Sequence, residues 1–209
     1  ISVGPFSTST AVNTVSIGSS ADATADRAVS IGVNSSASGL RSISLGQSTA
    51  SGSDAIAIGT GSSSLAVEST AFGHDAVASL GRQAMALGDS YASGTDSFAA
   101  AIANNTSSYG ASGANSVAMG YQAKATGQYA VAITGQAQAT NFASIAAGFD
   151  ARASGSVSVA IGGSTTAIGQ YSVALGNSVR ASARNSFASG FQARADIEGK
   201  YARACKDFS

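Results

Sequence analysis

Short runs in which apolar and small residues alternate recur along the chain, and each run ends on glycine. Ser158-Val159-Ala160-Ile161-Gly162 is a clear copy, and Val15-Ser16-Ile17-Gly18 and Val173-Ala174-Leu175-Gly176 are close variants of it. Successive copies lie 14 residues apart in most intervals. Alternation with a period of two indicates a β-strand, and a closing glycine is typical of a turn. A period held over the whole chain indicates a repeat architecture, which has to be settled before any motif is interpreted.

A second, shorter alternation follows each glycine after two variable residues. Ala123-Lys124-Ala125-Thr126-Gly127 and Ala151-Arg152-Ala153-Ser154-Gly155 show it clearly. Each repeat therefore predicts a strand, a turn, a second strand and a second turn. Two such strands cannot bury a core alone, but stacked repeats can pair each strand with its equivalent one repeat away. The sequence predicts an all-β parallel solenoid with two short strands in each coil of about 14 residues.

The alternation leaves the interior of each coil open to two assignments. Val159 and Ile161 share one side of their strand, and Ser158 and Ala160 share the other. We expect the valine and isoleucine side to point inward, against alanines of the facing strand such as Ala151, because large against small residues fill a thin interior. The alanine and serine side would then let chains pack side by side. A closed homotrimer is the natural symmetric arrangement, and a monomer remains the alternative.

One interval between glycines is longer than the others, and its extra residues fall near residues 104–113. Insertions in a repeat protein form loops on one face, often the binding face. Asn104, Asn105 and Tyr109 are therefore candidates for a contact loop. A surface bulge without a function is the alternative.

The repeats extend over residues 1–195, and residues 196–209 are expected to form a terminal coil and a junction to a following domain. Because Ile1 already lies inside a repeat, we expect the chain to be a fragment. Cys205 is the only cysteine, so an intrachain disulfide is impossible and an interchain disulfide between protomers is a hypothesis. An unreactive thiol is the alternative.

The composition narrows the possible partners. Charged residues are only 11% of the chain and balance to a net charge of zero. Nucleic acids and anionic membranes select clustered Lys and Arg, so neither is expected as a partner. No apolar run is long enough to cross a bilayer. With one histidine and one cysteine, the chain predicts no catalytic residue, metal site or cofactor.

Two local features are compatible with chemistry but have simpler interpretations. His74 follows a glycine in a turn position, where an exposed corner residue is expected. Residues 59–64 are rich in glycine and serine but lack the lysine of a phosphate-binding loop. Variable turn positions also carry residues that could make repeated weak contacts: Tyr91, Tyr121, Gln122, Phe149, Asp150, Arg180 and Phe191.

The repeats resemble the head repeats of YadA-like trimeric autotransporter adhesins. Asn115-Ser116-Val117-Ala118-Met119-Gly120 and Gln170-Tyr171-Ser172-Val173-Ala174-Leu175-Gly176 carry the resemblance, which extends over nearly the whole chain. It implies a homotrimer of left-handed parallel β-rolls that is extracellular and joined to further fibre or stalk domains. It also implies binding to a host-cell receptor or matrix component, without catalytic residues.

The end of the chain departs from that family, since residues 196–209 show neither a neck nor a coiled-coil heptad pattern. Gly199-Lys200-Tyr201-Ala202 instead resembles the junction that follows such repeats in some bacteriophage tail-fibre and virion proteins. This resemblance favours a virion tail fibre that contacts a bacterial surface. A bacterial outer-membrane adhesin and a purely structural spacer are the alternatives.

Overall fold

The computed structural model describes residues 1–101 and 108–204, and in these ranges the regular elements are β-strands. The chain divides into two compact units, the first unit at residues 1–106 and the second unit at residues 107–209. Each unit is built from the predicted coils.

The described strands of the first unit are β1 (Ser2–Val3), β2 (Thr8–Ser9), β3 (Val15–Ile17), β4 (Asp22–Ala23), β5 (Val29–Ile31), β6 (Ser36–Ala37), β7 (Ile43–Leu45), β8 (Thr49–Ala50), β9 (Ile56–Ile58), β10 (Ser63–Ser64), β11 (Thr70–Phe72), β12 (Val77–Ala78), β13 (Met85–Gly88), β14 (Tyr91–Ala92) and β15 (Phe98–Ala101). Those of the second unit are β16 (Gly110–Ala111), β17 (Val117–Met119), β18 (Lys124–Ala125), β19 (Val131–Ile133), β20 (Gln138–Ala139), β21 (Ile145–Ala147), β22 (Arg152–Ala153), β23 (Val159–Ile161), β24 (Thr166–Ala167), β25 (Val173–Asn177), β26 (Arg180–Ala181), β27 (Phe187–Phe191), β28 (Arg194–Ala195) and β29 (Tyr201–Ala204).

Within each unit the odd-numbered strands form one parallel sheet, the long-strand sheet, and the even-numbered strands form a second, the short-strand sheet. Each strand pairs with its equivalent one repeat away, so Val29 lies opposite Ile43 and Ser36 opposite Thr49. One coil is one strand of each sheet with the two corners between them. The predicted parallel solenoid with about 14 residues per coil is confirmed.

The corners are also hydrogen-bonded from coil to coil. The N–H of Asn34 donates to the carbonyl of Ser19 at one corner, and the N–H of Arg41 donates to the carbonyl of Asp26 at the other, both at 2.9 Å. Asn34 and Arg41 have φ values of 54° and 56°, which turn the chain sharply enough to start the next strand. Backbone groups that short strands would leave unpaired are satisfied in this way.

The predicted inward packing of valine and isoleucine is wrong. Ala160 is fully buried between the sheets, whereas Val159 is half-buried and Ile161 is 44% exposed. Ser158 is buried beside Ala160. The same pattern holds along both units, so the buried core consists of alanine and serine and the large apolar residues face outward.

The reason is the width of the coil. Most corners bring the backbone back after four or five residues, so the two sheets lie too close for isoleucine or leucine on the inward side of a strand. Val179 and Thr165 are the largest side chains that are fully buried in the described residues. The alanine and serine side was expected to contact neighbouring chains. It is buried inside each coil instead and cannot form that contact.

Serine hydroxyls in this interior bond across the coil. Ser64 Oγ donates to the carbonyl of Ser69 at 2.8 Å and lies 2.7 Å from Ser69 Oγ. Ser30 Oγ and Ser35 Oγ are 2.6 Å apart in the same arrangement. These bonds cross from one strand or corner to the next, so a buried serine is compatible with the dry interior.

Candidate binding surface

The outward side chains of the long-strand sheet form a surface that we call the apolar face. In the first unit it comprises Val15, Ile17, Val29, Ile31, Ile43, Leu45, Ile56, Ile58, Phe72, Met85, Leu87 and Phe98, with the polar Thr70 among them. In the second unit it comprises Val117, Met119, Val131, Ile133, Ile145, Val159, Ile161, Val173 and Leu175.

Strand register stacks these residues into two parallel columns. Ile17 lies opposite Ile31, and Ile31 opposite Leu45. Phe72 is 53% exposed and Ile31 is 38% exposed. Parallel sheets normally have both faces covered, and soluble monomers rarely expose a continuous apolar surface of this extent. The apolar face therefore has the character of an interface.

The outward side chains of the short-strand sheet are mostly polar and differ between the two units. In the first unit they are Thr8, Asp22, Ser36, Thr49, Ser63, Val77 and Tyr91. In the second unit they include a column that we call the basic ladder: Lys124, Gln138, Arg152, Thr166, Arg180 and Arg194.

Ion pairs of the basic ladder involve its arginines. Asp150 Oδ1 accepts from Arg152 at 3.0 Å, and Asp196 lies 3.6 Å from Arg194. The hydroxyl of Ser182 donates to Asp196 Oδ1 at 2.5 Å and lowers the pKa of that carboxyl, with Arg194 adding to the effect. Among the described residues, Lys124 and Arg180 form no ion pair.

The corners of the first unit carry two further ion pairs between neighbouring coils. Arg41 donates from Nε and Nη2 to the two carboxylate oxygens of Asp54, both at 2.5 Å. These bonds lower the pKa of Asp54 and raise that of Arg41. Arg82 donates to Glu68 Oε1 at 2.8 Å and lowers the pKa of Glu68 in the same way. Charges at these corners indicate a solvent-facing surface.

The predicted contact loop is described only at its end. Asn104 and Asn105 lie outside the described residues, and so does Cys205 with the predicted interchain disulfide. Tyr109 is half-buried and directly precedes β16. The loop and the disulfide therefore stay predictions.

Three residues expected in turns lie on strands instead. Tyr91 begins β14 and Arg180 begins β26, and both point outward from the short-strand sheet. Phe191 is the last residue of β27 in the long-strand sheet. The basic ladder was missed because the charges of the whole chain were counted together. Its signal in the sequence is the placement of Lys124, Arg152 and Arg180 two repeats apart.

The two local features with possible chemistry lie at corners. His74 is exposed, and its Nδ1 is 3.1 Å from Asp75 Oδ2. Residues 59–64 form a corner and part of β10, beside a surface depression of about 390 Å³ lined by serine, threonine, glycine, asparagine and glutamine. The described residues contain no group of His, Cys, Asp and Glu that could hold a metal ion. They also contain no helix long and apolar enough to cross a membrane.

Comparison with protein families shows that one family model matches well over half of the chain. The model of the YadA head domain repeat matches residues 23–49, 46–62, 64–90, 111–133, 139–165, 153–178 and 167–193. The chain belongs to the YadA head family. The matched segments lie within the solenoid coils described above. YadA heads are adhesive, structural domains that are displayed outside the cell. A search of curated proteins found no match.

Proposed function

We propose that this segment is part of a homotrimeric, non-enzymatic attachment fibre whose protomers associate through the apolar face. The observation that carries the proposal is the outward placement of valine, isoleucine and leucine in continuous columns. Burial of this face would remove the largest apolar surface of each coil from water, at about 25 cal/mol for each Å². Membership of the YadA head family supports the same arrangement, since heads of this family are homotrimers.

A charge placed on the apolar face tests the trimer. Ile31→Lys puts an ammonium group into the interface, where three copies would be desolvated and repel one another. We expect this variant to be monomeric at micromolar concentration while its β-sheet circular dichroism is retained. Size-exclusion chromatography with light scattering measures the mass.

Ser36→Lys is the matched control, because Ser36 lies in the same coil on the outward side of the short-strand sheet. This variant should have the mass of the unchanged protein. A trimer that survives Ile31→Lys, or an unchanged protein that is monomeric, would contradict the assignment of the interface.

We propose that the fibre is part of a bacteriophage tail, which attaches to a bacterial surface. Support comes from Gly199-Lys200-Tyr201-Ala202, which resembles virion junctions and not the neck of an adhesin. The second candidate is the head of a bacterial adhesin that binds host cells or matrix, and the family match favours it. A spacer that holds a separate tip is the third.

Binding of the fluorescently labelled trimer separates these three. We expect it to bind a subset of bacterial strains and not cultured animal cells or extracellular matrix. Binding to animal cells or matrix alone would assign the segment to an adhesin. If the trimer binds neither bacteria nor animal cells and matrix, the attachment role is wrong and the segment is assigned as a structural spacer.

A further inference from the structure

The two units carry opposite net charges, although the whole chain is neutral. Residues 1–106 contain three Lys and Arg against seven Asp and Glu, whereas residues 107–209 contain eight against four. A positive surface raises the local concentration of polyanions and steers them toward it. The second unit therefore has a net positive charge that the overall composition conceals.

The positive charge of the second unit is ordered along the basic ladder. The strand register places Lys124, Arg152 and Arg180 on every second strand, with Gln138 and Thr166 between them. Arg194 follows on the strand next to Arg180. Neighbouring strands are about 4.8 Å apart, so the cations recur at about 10 Å.

The surroundings of the ladder suit a sugar chain. The residues that directly follow the short strands form a second exposed or half-buried column, which carries mostly hydroxyl groups: Thr126, Thr140, Ser154, Ile168, Ser182 and Asp196. Neutral hydroxyl groups donate and accept hydrogen bonds with sugars, whereas ordered cations select negative charge.

Exposed aromatic rings recur with the cations. Tyr121 precedes Lys124 by three residues and is 48% exposed, and Phe149 stands in the same relation to Arg152 and is 64% exposed. Gly135 occupies the corner position between these two rings, so no side chain separates them. An exposed ring can cover the apolar face of a pyranose, because it offers a flat, weakly hydrated surface.

We propose that the basic ladder binds an extended acidic polysaccharide that carries one carboxylate on every second sugar. The proposal rests on the attachment role given above and names the chemical class of the surface that the fibre contacts. An extended chain of β-linked sugars advances by about one strand spacing for each sugar, so a carboxylate on every second sugar recurs in step with a cation on every second strand. Lys124, Arg152 and Arg180 would then each meet one carboxylate.

The spacing disfavours a nucleic acid on this face. Each strand of a DNA duplex carries a phosphate at about every 3.4 Å, which is far denser than the cations of the ladder. In the proposed trimer the ladder is exposed, because the short-strand sheet faces away from the apolar face of its own coil. Three ladders on one fibre would add avidity to contacts that are individually weak.

The test measures binding of the trimer to soluble polymers by biolayer interferometry. Hyaluronan and heparosan carry a carboxylate on every second sugar and represent an animal matrix polymer and a bacterial capsule polymer. Polygalacturonate has one on every sugar, and dextran has none. A single-stranded DNA oligonucleotide is the nucleic-acid arm. We expect hyaluronan or heparosan to bind more tightly than the other three, and the tighter of the two indicates the natural source.

Two variants test the residues and their spacing. The triple variant Lys124→Gln, Arg152→Gln and Arg180→Gln removes three charges from the ladder. Each removed charge should weaken binding by roughly two- to fivefold, so the affinity of the triple variant should fall by at least about tenfold. Exchange of two ladder residues, Arg152→Thr with Thr166→Arg, keeps the net charge and breaks the two-strand spacing. We expect this exchange variant to lose at least about threefold in affinity.

The proposal is overturned if neither hyaluronan nor heparosan binds, or if the triple variant binds as tightly as the unchanged protein. It is also overturned if DNA or polygalacturonate binds best and the exchange variant has unchanged affinity, since that is the behaviour of an unspecific polyanion surface. Both variants must remain trimeric in light scattering. If polysaccharide binding fails while the trimer still attaches to cells, the ladder proposal is wrong and the attachment role stands.

Discussion

At the scale of single residues, side-chain volume decides which side of a strand faces the interior. Ala57 is fully buried on β9, and its strand neighbours in register are Ser44 and Ala71, which are also fully buried. A column of such small residues keeps the two sheets close enough for packing without voids. The same closeness makes each buried hydroxyl dependent on a partner in its own coil or, as for Ser48 and Ala57, in the next one.

Two buried serines differ in whether such a partner is present. Ser64 Oγ bonds to Ser69, whereas Ser158 Oγ has no hydrogen-bond partner among the described residues. We expect Ser64→Ala to lower the free energy of unfolding by about 1 kcal/mol, because it removes a bond and leaves Ser69 less satisfied. Ser158→Ala should raise it by about 1 kcal/mol, because it removes an unpaired buried hydroxyl.

Chemical denaturation at one fixed protein concentration measures both changes, since dissociation of the proposed trimer would contribute to the transition. Each variant serves as the control for the other, because the two substitutions delete the same atom from a fully buried site. Equal losses of stability in the two variants would show that the hydroxyl of Ser158 has a partner after all.

At the scale of the element, the glycine that closes each long strand sets how closely coils can stack. Gly162 has a φ of 119°, and a Cβ built on it would lie 1.8 Å from the carbonyl oxygen of Gly176 in the next coil. Both the backbone conformation and the contact exclude a side chain. The chain does place Thr134 in this position of another coil, but there the φ is 84° and Thr134 Oγ1 accepts from the N–H of Gly148. Ala101 and Ala204 also occupy this position, on β15 and β29, without the positive φ of Gly162.

Gly162→Ala should therefore destabilise the protein by about 1–3 kcal/mol, through backbone strain and through separation of two coils. Gly135→Ala is the matched control in the second unit. A Cβ on Gly135 meets only the ring of Phe149, at 3.5 Å, which is an ordinary contact. Thermal unfolding followed by circular dichroism should show a lower melting temperature for Gly162→Ala alone. A comparable decrease for Gly135→Ala would contradict the stacking argument.

At the scale of the whole molecule, the proposed functions use outward columns of side chains. The apolar face would mediate the proposed association, and the basic ladder of the second unit would select the proposed acidic partner. The apolar face takes two outward residues from a long strand, such as Val29 and Ile31, and the basic ladder takes one from a short strand, so a substitution at one position changes a single coil. The trimer and polysaccharide experiments above therefore test separate faces of the same coils.

Much of this could be predicted from residues such as Val159, Ala160 and Gly162. Their alternation and their recurrence determine the strands, the parallel pairing and the coil length, because a constant repeat has few other ways to pair its backbone. The ladder of Lys124, Arg152 and Arg180 could also have been found by aligning the repeats column by column. Counting all charges together hid it.

The sequence by itself therefore determined the solenoid, its period and the membership of its repeats in a family of adhesive heads. Only the tertiary structure decided that Ala160 faces inward and Ile161 outward. The alternation of large apolar and small residues defines two sides of a strand but does not determine which side is buried. That choice depends on the distance between the two sheets, which the corners fix. On the strands it leaves room for alanine or serine, and the larger Val179 and Thr165 are buried only at the corner position before a short strand.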